Sequence, residues 1–273
     1  MSSKVSTRLG EIESRWTMVG GLRMHARVSV NRPSAGTDVP VVLVHGLLVS
    51  SLYMLPTAQR LAPFYRVFAP DMPGFGKSDK PSRALNVRGM AVALGEWMDA
   101  IGLGRAVLVG NSLGCQIIAD VAARSPHRVE GVVLTGPTVD CAGRTVREQS
   151  KRLLIDMTRE RFSLALIQLR SLCEAGLKRS WQTAQFALED RIEEHLPHLH
   201  APVLVIRGSN DQITPQVWAE QVAGLLPRGR LAVIQGAPHA LNYSTPDELV
   251  SLIREFVERE VPAARIPKNV PER

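Results

Sequence analysis

The sequence predicts an α/β fold built on a mostly parallel sheet. Short, nearly continuous apolar runs, rich in β-branched residues, recur at 41–44, 65–69, 106–109, 132–134, 203–206 and 231–234. Such runs suit strands that are covered by helices on both faces. Helical periodicity fills several of the intervals between them, at 87–101, 113–123 and 246–257. Alternation of strands and helices is typical of α/β proteins.

The two ends of the chain differ from this pattern. Residues up to about Arg15 have the composition of a loose leader. Residues 16–30 roughly alternate between apolar and polar side chains around a Gly20-Gly21 turn, which predicts a hairpin at the edge of the sheet.

One long interval contains no convincing strand. From about Val139 to His200 the sequence shows only helical periodicity, which predicts a helical lid over the strand ends. Two ordinary crossover helices are the alternative. We therefore expect a core made of residues 1–138 and 201–273, with residues 139–200 inserted as a helical cap.

Composition narrows the class of protein. The 273 residues are 45% hydrophobic and 5% aromatic, and the net charge of +7 is spread along the chain with small clusters at 144–161 and 265–273. This distribution favours a solvated surface over a nucleic-acid site. Three widely spaced cysteines argue against disulfides and zinc, and no apolar run is long enough to cross a bilayer. We expect a cytoplasmic monomer or homodimer that acts on a small molecule, with no metal, no cofactor, and no nucleic-acid or membrane partner.

The most informative segment is Gly110-Asn111-Ser112-Leu113-Gly114, which lies between an apolar run and a helical pattern. A G-x-S-x-G elbow in this setting holds a serine on a tight, strained turn at the end of a strand. Its flanking glycines are needed because a side chain there would collide with the neighbouring strand and helix. The alternative is an ordinary strand-to-helix loop with an N-capping serine.

Other strand ends supply partners for this serine. A serine hydroxyl needs a base to take its proton, and the base needs an acceptor that fixes its tautomer. Asp211 and His239 follow the last two apolar runs and give the chain order Ser, Asp, His that is expected for this architecture. Asp140, which follows the 132–134 run, is an alternative acid.

The developing negative charge also needs hydrogen-bond donors. The backbone N–H groups of Leu47 and Leu113 are placed to form an oxyanion hole. We expect Leu48, with Leu113 and apolar side chains of the cap, to form the acyl pocket.

Three further features have structural interpretations. His45 is interpreted as a turn-shaping residue, the Gly- and Pro-rich segment 71–79 as a structural turn, and Cys115 as a small core residue.

The segments His45-Gly46, Asp71-Met-Pro-Gly-Phe-Gly-Lys-Ser78, 110–114, 208–211 and 236–239 together resemble the α/β-hydrolase superfamily. The resemblance covers about Trp16 to Val257. It implies an eight-stranded, mostly parallel sheet with a helical cap after the sixth strand, and it implies that Ser112, Asp211 and His239 form a catalytic triad.

Within the superfamily, the sequence is most similar to bacterial esterases and to hydrolases of carbon–carbon bonds in ring-cleavage products. Asn111, which we expect to bind substrate, suits the second group. The Gly-Leu-Leu-Val-Ser stretch after His45, and Ala240 after the histidine, depart from that group. Ser112 argues against the dehalogenases and epoxide hydrolases, which use an aspartate nucleophile.

These observations predict a serine hydrolase that cleaves a small to medium, fairly apolar carboxylic ester, thioester or lactone through an acyl-enzyme on Ser112. One alternative is a carbon–carbon bond hydrolase acting on a diketo acid, for which Arg144, Arg147, Lys151 or Arg161 would hold the substrate carboxylate. An alternative of another class is a ligand-binding or signalling protein with little turnover.

Overall fold

The computed structural model describes residues 9–30 and 39–261. Its centre is one eight-stranded sheet in the order β1-β2-β4-β3-β5-β6-β7-β8. The strands are β1 (Ile12–Val19), β2 (Leu22–Ser29), β3 (Val41–Val44), β4 (Val67–Pro70), β5 (Ala106–Asn111), β6 (Val129–Thr135), β7 (Val203–Gly208) and β8 (Gly229–Ile234). Strands β3 to β8 run parallel to one another, as the apolar runs predict, and β4 pairs with β2 in antiparallel orientation.

The first two strands form the predicted hairpin at one edge. They pair in antiparallel register, with Val19 opposite Leu22 across the Gly20-Gly21 turn. The prediction of a loose leader up to Arg15 is wrong for residues 12–15, because strand β1 begins at Ile12. Pairing along the whole length of β2 orders this segment, although two of the first four residues of β1 are charged. Residues 1–8 of the leader and the basic cluster 265–273 lie outside the described residues.

Ten α-helices occur in the described ranges: α1 (Ser51–Leu61), α2 (Val87–Ala100), α3 (Leu113–Arg124), α4 (Val146–Met157), α5 (Phe162–Ala175), α6 (Leu177–Glu189), α7 (Ile192–His195), α8 (Gln216–Leu225), α9 (Leu241–Ser244) and α10 (Pro246–Glu260). None of them combines the length and the apolar character that a bilayer span requires.

Two apolar layers cover the sheet. On β3 the side chains of Val42 and Val44 belong to the layer with α2, α3 and α8, whereas Val41 and Leu43 belong to the layer with α1 and α10. All four side chains are fully buried. This is the arrangement that the uninterrupted apolar runs predict, because a strand covered on both faces has no polar side.

Helices α4 to α7 lie between β6 and β7 and form the helical insertion, which we call the cap. No strand interrupts them, as the sequence predicts. The bounds of a separate cap domain at 139–200 stay a prediction.

A buried carboxylate holds the loop after β4. Asp71 is hydrogen bonded to Nδ1 of His25 at 2.7 Å and accepts the backbone N–H groups of Ser51 at 2.6 Å and Lys77 at 2.9 Å. Burial raises the pKa of this carboxyl, but the hydrogen bonds and the nearby histidines outweigh that effect and lower the pKa below its usual value. Asp71 thus ties β2, α1 and the loop to one another, in agreement with the structural interpretation of 71–79.

We expect the Asp71→Ala variant to lower the free energy of unfolding by about 3–5 kcal/mol, because it leaves buried donors without their acceptor. The matched control is Asp79→Ala in the same loop, where the side chain is 43% exposed and bound to Arg23. The control should lose about 1 kcal/mol or less. Urea denaturation of both variants measures the difference, and equal losses would contradict the assignment.

Candidate active site

Ser112 occupies the predicted elbow between β5 and α3. Its φ of 55° lies in the left-handed region, which is strained for a residue with a side chain. Its flanking glycines permit the turn. A Cβ atom on Gly110 would lie 2.5 Å from the backbone of Gly114, and one on Gly114 would lie 2.2 Å from the carbonyl oxygen of Val44. The glycines are therefore required by close contacts with the helix and with strand β3.

The loops after β7 and β8 bring Asp211 and His239 together. Oδ2 of Asp211 lies 2.9 Å from Nδ1 of His239, and both residues are almost fully buried. The other carboxylate oxygen accepts the N–H groups of Ile213 and Thr214, each at 2.8 Å. These three contacts fix the carboxylate and orient the imidazole.

Asp140, the alternative acid, has a different partner. Its carboxylate is 2.6 Å from the guanidinium of Arg152 on α4. The structure therefore pairs His239 with Asp211 and uses Asp140 to hold the start of the cap.

The electrostatic environment of His239 favours its protonated form. Burial lowers the pKa of the imidazole, but the negative charge and hydrogen bond of Asp211 act in the opposite direction. The carboxylates of Asp156 and Glu160 add to them, and the result is a pKa of about 9. His239 thus faces three acidic groups.

In this structure the hydroxyl of Ser112 is hydrogen bonded to Thr138 and not to His239. Its Oγ lies 3.4 Å from Oγ1 of Thr138, and within the described residues no hydrogen bond joins it to His239. Hydrogen bonds in ligand-free sites are often incomplete and form only with substrate in place.

The two predicted backbone donors flank the serine. The N–H of Leu113 is at the first position of α3, where no intrahelical acceptor exists. Leu47 precedes Leu48, whose φ of 60° is also left-handed. Neither N–H donates a hydrogen bond to another described residue, so both are available to a ligand.

A cavity of about 500 Å³ lies above Ser112, between the core and the cap. Leu48 and Asn111, the predicted substrate-binding residues, both line it. The side-chain nitrogen of Asn111, however, donates to the carbonyl oxygens of Thr135 at 3.2 Å and His239 at 3.5 Å. Asn111 is therefore engaged in supporting the site, whereas Leu48 offers an apolar surface.

Two acidic residues of the cap reach the segment that carries His239. Glu160, just after α4, accepts the N–H of Ala240 and the hydroxyl of Ser244, each at 2.7 Å. Asp156 accepts the N–H of His239 at 3.4 Å. Burial raises the pKa of both carboxyls.

The sequence analysis did not identify Thr138, Asp156 or Glu160 as site residues. The one available signal was that Asp156 and Glu160 stand four residues apart in a stretch that is otherwise mostly basic.

The remaining candidates have structural contacts. Nδ1 of His45 is 2.8 Å from the carbonyl oxygen of Gly46, and its Nε2 accepts the N–H of Met72 at 3.0 Å. Cys115 is buried, which raises the pKa of its thiol, and its Sγ lies 3.2 Å from the carbonyl oxygen of Gly110. Within 9–30 and 39–261, no group of three or more His, Cys, Asp or Glu side chains is arranged to hold a metal ion.

Comparisons with known proteins agree with this geometry. A family model described as the alpha/beta hydrolase family matches residues 41–252. Carboxylesterase YbfK of Bacillus subtilis is 26% identical over 249 residues, which are 82% of this chain and 82% of the relative. The 2-(acetamidomethylene)succinate hydrolase of Mesorhizobium japonicum is 24% identical over 257 residues, which are 85% of this chain and 92% of the relative.

A solved structure shares the fold. The enol-lactonase from Burkholderia xenovorans superposes with a TM-score of 0.76 at 21% identity, and the match covers 89% of this chain and 99% of the other. The family model spans well over half of the chain, and the sheet order, the elbow and the cap are those of the same fold. The chain therefore belongs to the α/β hydrolase family.

Proposed function

We propose that this hydrolase cleaves a small to medium, uncharged and fairly apolar carboxylic ester, thioester or lactone through an acyl-enzyme. The observation that carries the proposal is the cavity above Ser112. Its lining is mostly apolar, and His239, which is hydrogen bonded to Asp211, lies in its wall. A relative that is named as a carboxylesterase supports the same class of reaction.

In the first step, Ser112 exchanges its hydrogen bond with Thr138 for one to Nε2 of His239. Its Oγ attacks the acyl carbon while His239 takes the proton, and Asp211 stabilises the imidazolium that forms. The N–H groups of Leu47 and Leu113 stabilise the negative charge on the former carbonyl oxygen. His239 then protonates the leaving group, and an acyl-enzyme remains.

In the second step, His239 takes a proton from water, which attacks the acyl carbon. A second tetrahedral species collapses, the acid leaves, and the proton returns from His239 to Ser112. Both halves use the same base and the same two N–H donors.

The charges in the cavity favour an uncharged substrate. Asp156 and Glu160 line it, whereas no described arginine or lysine does. Among the basic residues considered for binding a carboxylate, Arg144 is paired with Glu193 at 2.8 Å. This observation favours ester cleavage over the carbon–carbon hydrolysis of a diketo acid, which needs a cation beside its carboxylate.

We expect the Ser112→Ala variant to lower kcat for p-nitrophenyl butyrate by about 10⁴-fold or more, since the nucleophile is lost. Thermal unfolding should be unchanged, and Ser82→Ala, at an exposed serine, should retain full turnover. A fluorophosphonate probe should label the wild type and not Ser112→Ala. Retained turnover would contradict the assignment, whereas absent turnover with slow labelling of the wild type would support the binding-protein alternative.

We expect kcat/KM to rise with pH and to reach half of its maximum near pH 9, because His239 must lose its proton to act as the base and its pKa is raised to about 9. Asp156→Asn removes one of the charges that raise this pKa, so its midpoint should move to lower pH. Glu174→Gln, on α5 and outside the cavity, is the control and should leave the profile in place. A midpoint that stays or rises in Asp156→Asn would contradict this account.

We expect the mono-p-nitrophenyl ester of succinic acid to react at least tenfold more slowly, in kcat/KM, than p-nitrophenyl butyrate. The two acyl groups have the same number of carbon atoms, but the succinyl carboxylate is repelled by Asp156 and Glu160. Like charges at contact distance in a low-dielectric site cost well over 1 kcal/mol. The discrimination should shrink in Asp156→Asn. A preference for the succinate ester would instead favour an acidic substrate.

A further inference from the structure

Helix α5 of the cap is apolar on two opposite faces. Its inner face carries buried residues such as Leu164 and Ala175. Its outer face carries Phe162, Leu166 and Leu169, at the i, i+4, i+7 spacing, and these side chains are 81%, 57% and 59% exposed. A helix on the surface of a globular protein normally turns one apolar face to the core and a polar face to solvent. The outer face of α5 is therefore a surface that lacks its partner.

Exposed apolar side chains also occur on the cap helices α4 and α6. Of the sixteen exposed large hydrophobic residues among the described ones, nine lie within residues 146–181. Five of the nine do not line the cavity, and we use the term outer cap face for these five: Leu154, Ile155, Phe162, Leu166 and Leu169. Single exposed apolar residues are normal on a protein surface, but a concentration of this kind marks an interaction site.

Exposed apolar side chains also connect the outer cap face to the cavity. Val146, Met157, Leu177 and Trp181, the other four exposed apolar residues of 146–181, line the cavity above Ser112. A partner that covers the outer cap face therefore lies next to the cavity.

The same segment is strongly basic. Residues 146–181 contain eight Lys and Arg and four Asp and Glu. Asp156 and Glu160 line the cavity, and the other two acids are paired with arginines of their own helices. Arg147, Lys151, Arg161 and Lys178 are exposed, and none of these four cations forms an ion pair with another described residue. Apolar side chains and unpaired cations thus share the outer surface of the cap.

We propose that the outer cap face docks onto the surface of a membrane that contains anionic lipids. Apolar side chains of amphipathic surface helices insert into the boundary between headgroups and acyl chains, and lysine and arginine beside them bind anionic headgroups. This docking requires no spanning segment, so it differs from the sequence-based expectation of no membrane partner, which rested on the absence of such a segment.

Charge argues against a second copy of the chain as the occupant. A twofold interface places the same patch of both subunits in contact, so the unpaired cations would face each other. The segments 1–8 and 262–273 are also poor candidates, because both are net basic and would be repelled by the cations beside the outer cap face.

Cosedimentation with lipid vesicles tests the proposal, and it needs no turnover, so it is independent of the proposed function. The wild type should bind vesicles of equimolar phosphatidylcholine and phosphatidylglycerol at least tenfold more tightly than vesicles of phosphatidylcholine alone. High sodium chloride should weaken the binding, because salt screens the attraction between headgroups and cations.

Two pairs of variants separate the apolar and the basic contributions. Phe162→Ser with Leu166→Ser should weaken binding to the mixed vesicles about tenfold or more, whereas Val92→Ser with Val217→Ser, which replaces exposed valines of the core, should not. Arg147→Glu with Lys151→Glu should also weaken it about tenfold or more, whereas Arg83→Glu with Arg228→Glu, at exposed positions outside the cap, should have a much smaller effect. Circular dichroism checks that each variant is folded.

Three results would overturn the proposal. They are a wild type that binds neither kind of vesicle, variants of the core that weaken binding as much as those of the cap, and a dimer in solution that Phe162→Ser with Leu166→Ser dissociates. The last result would identify a second copy of the chain as the occupant.

Discussion

The contact between α3 and strand β3 at Gly114 is the constraint on which the site depends. Because Gly114 has no side chain, the first turn of the helix can lie against the carbonyl oxygen of Val44. The same packing brings the loop after β3 beside the elbow, where a Cβ on Gly46 would lie 3.2 Å from Cβ of Ser112. This close approach between α3 and β3 therefore positions the strained Ser112 and the backbone N–H of Leu47. Both residues lie at the core side of the cavity.

Much of the fold could be predicted because its signals are local. The central strands are short runs without a polar side, and each stands at or within two or three residues of the predicted bounds. Helix α1 was not predicted, because Pro56 lies inside it and proline is normally a helix breaker. Its formation depends on distant contacts, such as the hydrogen bond from Thr57 to the carbonyl oxygen of Asn242. Such contacts leave no local pattern in the sequence.

The candidate site likewise contains residues that a local sequence pattern predicts and residues that only the packing of distant segments brings together. Ser112, Asp211 and His239 could be named in advance because each follows a recognisable strand, although the choice between Asp211 and Asp140 needed the structure. Asp156 and Glu160 could not be named, because 80 or more residues of chain separate them from the His239 segment that they contact. Their importance follows only from the packing of the cap on the core.

Glu160 links the position of the cap to the position of the segment that follows His239. Its two hydrogen bonds run from the end of a cap helix to Ala240 and Ser244, in the segment directly behind the histidine. If a bulky ligand displaces this part of the cap outward, both acceptors move away from Ala240 and Ser244. The size of the ligand in the cavity is in this way coupled to the hydrogen bonds behind His239.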